Sequence, residues 1–160
     1  VGESAGGTLA ANLLVKLRDG GRLKFAAVAL TYGWFDMSET PFFQAWGERR
    51  LVETADELRW FRSNYLGPNF PASRLRDPDI SPLYADLRGL PPALLSIGTE
   101  DALLEDSLFM YSRWLSSGNS AQLGVYPGAA HGMGHFGPHR YTAQGEQVLQ
   151  VLEAFYNSHL

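Results

Sequence analysis

The chain has no cysteine, which excludes a disulfide framework and a thiolate metal site. It fits a reducing compartment, so a cytoplasmic location is the expectation. Positive charge is scarce: 13 Lys and Arg stand against 17 Asp and Glu, for a net charge of −4. With no basic cluster, nucleic acid is not an expected partner. No apolar run reaches the length of roughly 18 residues that a membrane-spanning helix needs. Repeats and low-complexity tracts are lacking too. So is a leader pattern, but that carries no weight, because the chain opens on Val1 rather than methionine.

What remains is the composition of one globular domain: 160 residues, 45% hydrophobic and 19% charged. Helical and strand patterns alternate. Ala5 to about Arg18 carries Leu9, Leu13, Leu14 and Leu17 at helical spacing, and Asp19-Gly20-Gly21 ends it. Phe25 to Thr31 is a short continuous apolar run, as in a buried parallel strand. Ala93 to Ile97 is a second such run, and Leu123 to Tyr126 a weaker third. Helices are predicted from Leu104 to Ser117 and from Thr142 to about His159. Strands separated by helices imply crossover units and a mostly parallel sheet, an α/β fold. Residues 37–80 break the rhythm, with no strand pattern. They contain Thr54-Ala-Asp-Glu57, a capping-box signature, followed by Leu58, Trp60, Phe61 and Tyr65. Half of the 20 aromatic residues fall between Tyr32 and Phe70. This reads as a helical insertion with a small core of its own, compatible with a lid over an apolar pocket.

Three short stretches carry the chemistry. Gly2-Glu3-Ser4-Ala5-Gly6 matches G-x-S-x-G, a sharp turn that lifts a serine hydroxyl out of a strand-to-helix junction. The following helix N-terminus favours developing negative charge, and the Ala5 N–H can donate to an oxyanion. Rival glycine motifs fail: there is no Gly-Lys-Ser/Thr and no G-x-G-x-x-G. A serine nucleophile needs a base, and the base an orienting acid, in the chain order Ser, Asp/Glu, His. Asp101 follows the second apolar run and competes with Glu100, Glu105 and Asp106 for the acid. Asp101 also suits a helix N-cap, and Glu105 and Asp106 suit the dipole of the next helix. His131 follows the third run in a small-residue loop. Alone it would read as an exposed loop histidine; with Ser4 and Asp101 in this order it reads as the base. His131, His135 and His139 are spaced four apart, but the glycines and Pro138 among them oppose a helix, so no metal is expected. His135, His139 and His159 read as surface residues.

These stretches resemble the α/β-hydrolase fold, and within it the hormone-sensitive-lipase-like esterases. The resemblance rests on GESAGG at 2–7, DPDISPLYADLRGLPPALLSIGTEDALLEDS at 77–107 and YPGAAHGM at 126–133. It implies Ser4 as nucleophile, Asp101 as acid, His131 as base and the Ala5 N–H in the oxyanion hole. It also implies a cap over residues 37–76 and a substrate pocket that includes Glu3, Tyr32, Trp34, Phe35 and Met133. The implied activity is hydrolysis of short- to medium-chain acyl esters through an acyl-enzyme at Ser4. Neither cofactor nor metal is implied; the partner is a small-molecule ester, and a homo-oligomer is compatible. An amidase or peptidase on the same fold, or a non-catalytic binding relative, are the alternatives. Two departures stand out. Glu3 replaces the family's more usual aspartate, and the family's N-terminal half, with its His-Gly-Gly oxyanion loop, is absent. On that reading the 160-residue chain alone is expected to be nearly inactive and poorly soluble.

Overall fold

The computed structural model describes residues 1–135 and 142–159. The elements are β1 (Gly2–Glu3), α1 (Ala5–Asp19), β2 (Val28–Thr31), α2 (Pro41–Ala45), α3 (Ala55–Leu66), β3 (Ala93–Glu100), α4 (Leu104–Ser116), β4 (Ala121–Ala130) and α5 (Ala143–Asn157). Short 3₁₀ turns lie at Ala72–Arg74 and Pro82–Tyr84. The strands form one parallel sheet in the order β1-β2-β3-β4. All four C-terminal ends therefore face one edge, where such sheets bind ligands.

Alternation along the strands assigns the two faces. Val28, Leu30 and Leu95 pack with Ala11 and Leu14 of α1 and with Met110 and Trp114 of α4. Ala29 and Leu94 point the other way, to Phe155 of α5. A third apolar cluster caps the strand ends, joining Tyr32, Trp34, Phe43, Trp46, Leu58, Ile97 and Leu103.

Several boundaries differ from the sequence pattern. β2 begins at Val28, not Phe25, which is 54% exposed. Its neighbour β3 begins at Ala93, because Pro91 and Pro92 have no N–H to offer, although the Pro92 carbonyl does accept from Val28 N. β4 extends well beyond Leu123–Tyr126 and tolerates Pro127 as the last strand in the order. In α1, Leu9 and Leu13 are about half exposed, and the buried side is Gly7, Thr8, Ala11, Asn12 and Leu14. A Cβ on Gly7 would stand 3.1 Å from Gly33 Cα, so glycine at position 7 lets the first turn of this helix lie close to the chain just after β2.

The 37–80 stretch is helical and strand-free. The capping box forms: Glu57 N donates to Thr54 Oγ1 at 3.1 Å, and Thr54 N donates to Glu57 Oε2 at 2.8 Å. The stretch lacks the core of its own that its aromatics suggest. Trp60, Phe61 and Tyr65 are 50% or more exposed, while Ala55 and Leu58 join the cluster over the strand ends. Among the described residues no helix is long and apolar enough to cross a membrane.

Candidate active site

Ser4 sits between β1 and α1 with φ 49° and ψ −124°, a conformation costing a non-glycine residue about 1–3 kcal/mol. The fold holds it there: Ser4 N donates to Thr31 O at 3.0 Å, and Gly7 N donates back to Ser4 O at 2.9 Å. Gly2 is required by the same turn, because a Cβ there would lie 2.4 Å from Gly6 O. Ala5 opens α1, so its N–H belongs to the first turn that has no intrahelical acceptor.

Asp101 follows β3 and His131 follows β4. His131 Nε2 lies 2.9 Å from Ser4 Oγ, and His131 Nδ1 lies 2.8 Å from Asp101 Oδ2. With a carboxylate at Nδ1, that nitrogen carries the proton and Nε2 accepts from the serine; the tautomer is assigned from this network. Asp101 and His131 are 2% and 5% exposed. Asp101 Oδ1 also accepts from Leu103 N at 2.9 Å, so the carboxylate orients both the turn into α4 and the imidazole. Burial opposes a charge on His131. The charge and hydrogen bond of Asp101, with Glu53 and Glu3 behind it, outweigh burial and raise the imidazole above its ordinary value.

The other acids do different work from the helix-dipole role that suits them in the sequence. Glu105 Oε2 accepts from Phe42 N at 2.7 Å. Asp106, fully buried, accepts from both Phe35 N and Asp36 N at 2.7 Å. Both tie the segment after β2 to α4. Glu100 turns outward, 3.7 Å from Arg49.

The substrate-pocket residues divide. Trp34 lines a cavity of about 360 Å³ that starts at Ser4 and Ala5 and is walled by Thr8, Leu9, Met37, Leu58, Phe61 and Tyr65, with Glu53 and Arg62 as its charged members. Arg62 is already engaged by Met37 O at 2.7 Å and Glu39 Oε1 at 2.9 Å. Glu3 lines a second opening on Ser4 and His131. Tyr32 is buried; its ring lies 4.7 Å from the His131 ring, and its hydroxyl donates to Glu3 Oε2 at 2.9 Å. Burial, then the Glu3 bond, push that phenol well up. Phe35 is not a wall of the Ser4 cavity. It turns under the sheet end into the core with Leu83 and Trp114, since its own N–H is pinned by Asp106. Met133 is buried facing a separate cleft beside Gly128 and Ala129.

His135 is not a surface residue: the turn through Gly132 and Gly134, both at positive φ, folds it back to place Nδ1 3.3 Å from Glu3 Oε2. His159 is half-buried against Phe155, ring centroids 4.5 Å apart. His139 lies outside the described residues. Among the described residues no His, Asp and Glu group is arranged to hold a metal ion. One neighbour of the site escapes the sequence reading. Glu53, just before α3, brings Oε2 to 3.7 Å from His131 Nε2. A lone glutamate ahead of a capping threonine carries no signal of that placement.

A parallel sheet that gathers a strained serine, an aspartate and a histidine at the C-terminal ends of β1, β3 and β4 defines the class of α/β hydrolases. A family described as alpha/beta hydrolase fold matches residues 1–135, and the chain belongs to that family. An acetyl-hydrolase of Streptomyces hygroscopicus is 31% identical over 156 residues, covering 96% of this chain and 50% of the relative. An ethyl acetate hydrolase of Pseudomonas putida is 34% identical, covering 96% of this chain and 48% of its own length. Among solved structures, an esterase from the bacterial hormone-sensitive lipase family is 31% identical with a TM-score of 0.86, covering 99% of this chain and 52% of that one. The chain thus spans about half the length of the relatives it matches.

Proposed function

We infer that this chain carries the nucleophile, base and acid of a serine carboxylic ester hydrolase. The observation that carries the reading is the continuous hydrogen-bonded chain from Ser4 Oγ through His131 to Asp101, at 2.9 and 2.8 Å. In the first half-reaction Ser4 Oγ attacks the ester carbonyl carbon while His131 Nε2 takes its proton. Asp101 holds the Nδ1–H tautomer and stabilises the imidazolium. The tetrahedral oxyanion accepts from the Ala5 N–H, a contact of a kind worth on the order of 10²–10³ in rate. His131 returns the proton to the leaving alcohol, and the acyl group stays on Ser4. Water then repeats the sequence and releases the acid.

We read residues 37–76 as a cap, since Met37, Glu53, Leu58, Phe61 and Tyr65 from this segment wall the Ser4 cavity. Its apolar lining and volume of about 360 Å³ suit short to medium acyl chains. The names of the two relatives, an acetyl-hydrolase and an ethyl acetate hydrolase, support the short end of that range. The test is reaction of the protein carrying this chain with a fluorophosphonate probe, followed by p-nitrophenyl esters of increasing acyl length against the matching anilides. Labelling that is lost in Ser4→Ala, with esters cleaved and anilides not, is the expected result. Labelling that survives Ser4→Ala would overturn the assignment of the nucleophile.

A further inference from the structure

Glu53 faces the reacting atoms with a task unfilled. Its side chain turns back from the entry to α3, and Oε2 stands 3.7 Å from His131 Nε2. That oxygen is buried and has no hydrogen-bond partner among the described residues. Leaving a buried carboxylate oxygen without a donor is costly. The carboxylate also lines both openings that lead to Ser4. The remaining charged groups around His131 are committed: Asp101 to Nδ1, and Glu3 Oε2 to the Tyr32 hydroxyl and the neighbourhood of His135. Glu53 is the acceptor with capacity left on the Nε2 side.

We propose that Glu53 holds the water that hydrolyses the acyl-enzyme, and that it thereby favours water over alcohols as the acyl acceptor. The proposal rests on Ser4 being the nucleophile. A water donating one O–H to Nε2 and the other to Oε2, at about 2.9 Å each, bridges two atoms 3.7 Å apart. Its lone pair is then free for the acyl carbon on Ser4 Oγ. In the step, the water oxygen bonds to that carbon and its proton passes to His131 Nε2. On collapse the bond between the acyl carbon and Ser4 Oγ breaks, Nε2 returns the proton to Oγ, and the carboxylic acid leaves. Glu53 accepts a hydrogen bond throughout and takes no proton. An alcohol has a single O–H, which Nε2 must receive, so its alkyl group would lie against the carboxylate and leave Oε2 unpaired.

The experiment measures acylation and deacylation separately with p-nitrophenyl acetate, using the initial burst and the decay of preformed acyl-enzyme. It also measures the ratio of methyl ester to free acid formed with methanol present. Glu53→Leu should slow deacylation about tenfold more than it slows acylation, from loss of one charged hydrogen bond to the attacking water, whereas loss of its charge 3.7 Å from His131 Nε2 acts on both phases alike. The methanol-to-water partition ratio should rise by a similar factor. Glu53→Gln, which keeps a weaker acceptor, should fall between and serves as the deciding variant where Glu53→Leu does not fold. Parallel slowing of both phases, or a partition ratio unchanged from wild type, would overturn the proposal. So would unchanged deacylation with KM raised for ammonium-bearing esters alone, which would make Glu53 a substrate-recognition group. Wild-type protein that forms no acyl-enzyme and takes no fluorophosphonate would instead remove the nucleophile at Ser4, and this proposal with it.

Discussion

Replacing Asp106 by alanine tests what holds the segment beside the active site. Asp106 lies in the first turn of α4 and has no exposed surface. One of its oxygens accepts from Phe35 N and Asp36 N, both at 2.7 Å. Alanine leaves those two donors buried and unpaired, at about 1–3 kcal/mol each, so the expected loss is about 2–6 kcal/mol. A domain of ordinary stability has about 5–15 kcal/mol in total, and at a slope of about 2 kcal/mol per molar urea the midpoint falls by roughly 1–3 M. Asparagine separates geometry from charge, since its amide oxygen can accept from both N–H groups. Burial raises the Asp106 carboxyl well above the ordinary aspartate range, and the two backbone bonds only oppose this in part. The unfolded chain therefore releases this proton near pH ~4 while the folded chain still holds it, so stability declines as pH rises from there through the folded value. Asp106→Asn removes that term and should flatten the decline. Urea unfolding at several pH values from about 4 to about 7 measures both effects across this window. An alanine variant within about 0.5 kcal/mol of wild type would refute the hydrogen-bond argument. An asparagine variant whose stability runs parallel to wild type across that range would refute the burial argument.

Asp101→Asn should lower kcat on the order of 10⁴-fold through the wrong imidazole tautomer, with the urea midpoint little changed; activity within tenfold of wild type would contradict the orienting role. Because Asp101, with Glu53 and Glu3, raises His131 against the effect of burial, the acid limb of kcat/KM should fall above the ordinary histidine value of about 6.5. A limb at or below that value would be inconsistent with it. Gly98→Ala places a Cβ 2.0 Å from Ala129 O, a backbone atom that cannot rotate away. It should cost about 1–3 kcal/mol or more, read by urea unfolding, and reduce hydrolysis by moving the loop that carries His131; full activity would show that the strand pair yields without displacing the histidine.

The parts of this molecule that were legible in its sequence are those fixed by local rules. The turn at Ser4 needs small residues, since a Cβ at position 2 would meet Gly6 O, and that need is written as Gly-x-Ser. The apolar core strands and the Thr54–Glu57 capping box are likewise determined within a few residues. The less legible parts depend on what stands opposite. α1 buries Gly7, Ala11 and Leu14 rather than Leu9 and Leu13, with the chain too close for a side chain at position 7, and helical spacing alone does not say which stripe faces inward. Phe35 reads as a pocket wall from its place after β2, yet the carboxylate of Asp106, on α4, pins its backbone and sends the ring into the core. Glu105 and Asp106 show the same limit from the other side. Two acids at a helix start satisfy the dipole rule wherever they point, so the rule is blind to side chains that reach backbone N–H groups of a distant segment. Glu53 completes the pattern, for a residue whose partner is a histidine on another strand end has no signature in its own neighbourhood. Spacing rules therefore reach the residues that make a turn or a cap. Residues that act across segments become visible once the sheet has set the strand ends side by side.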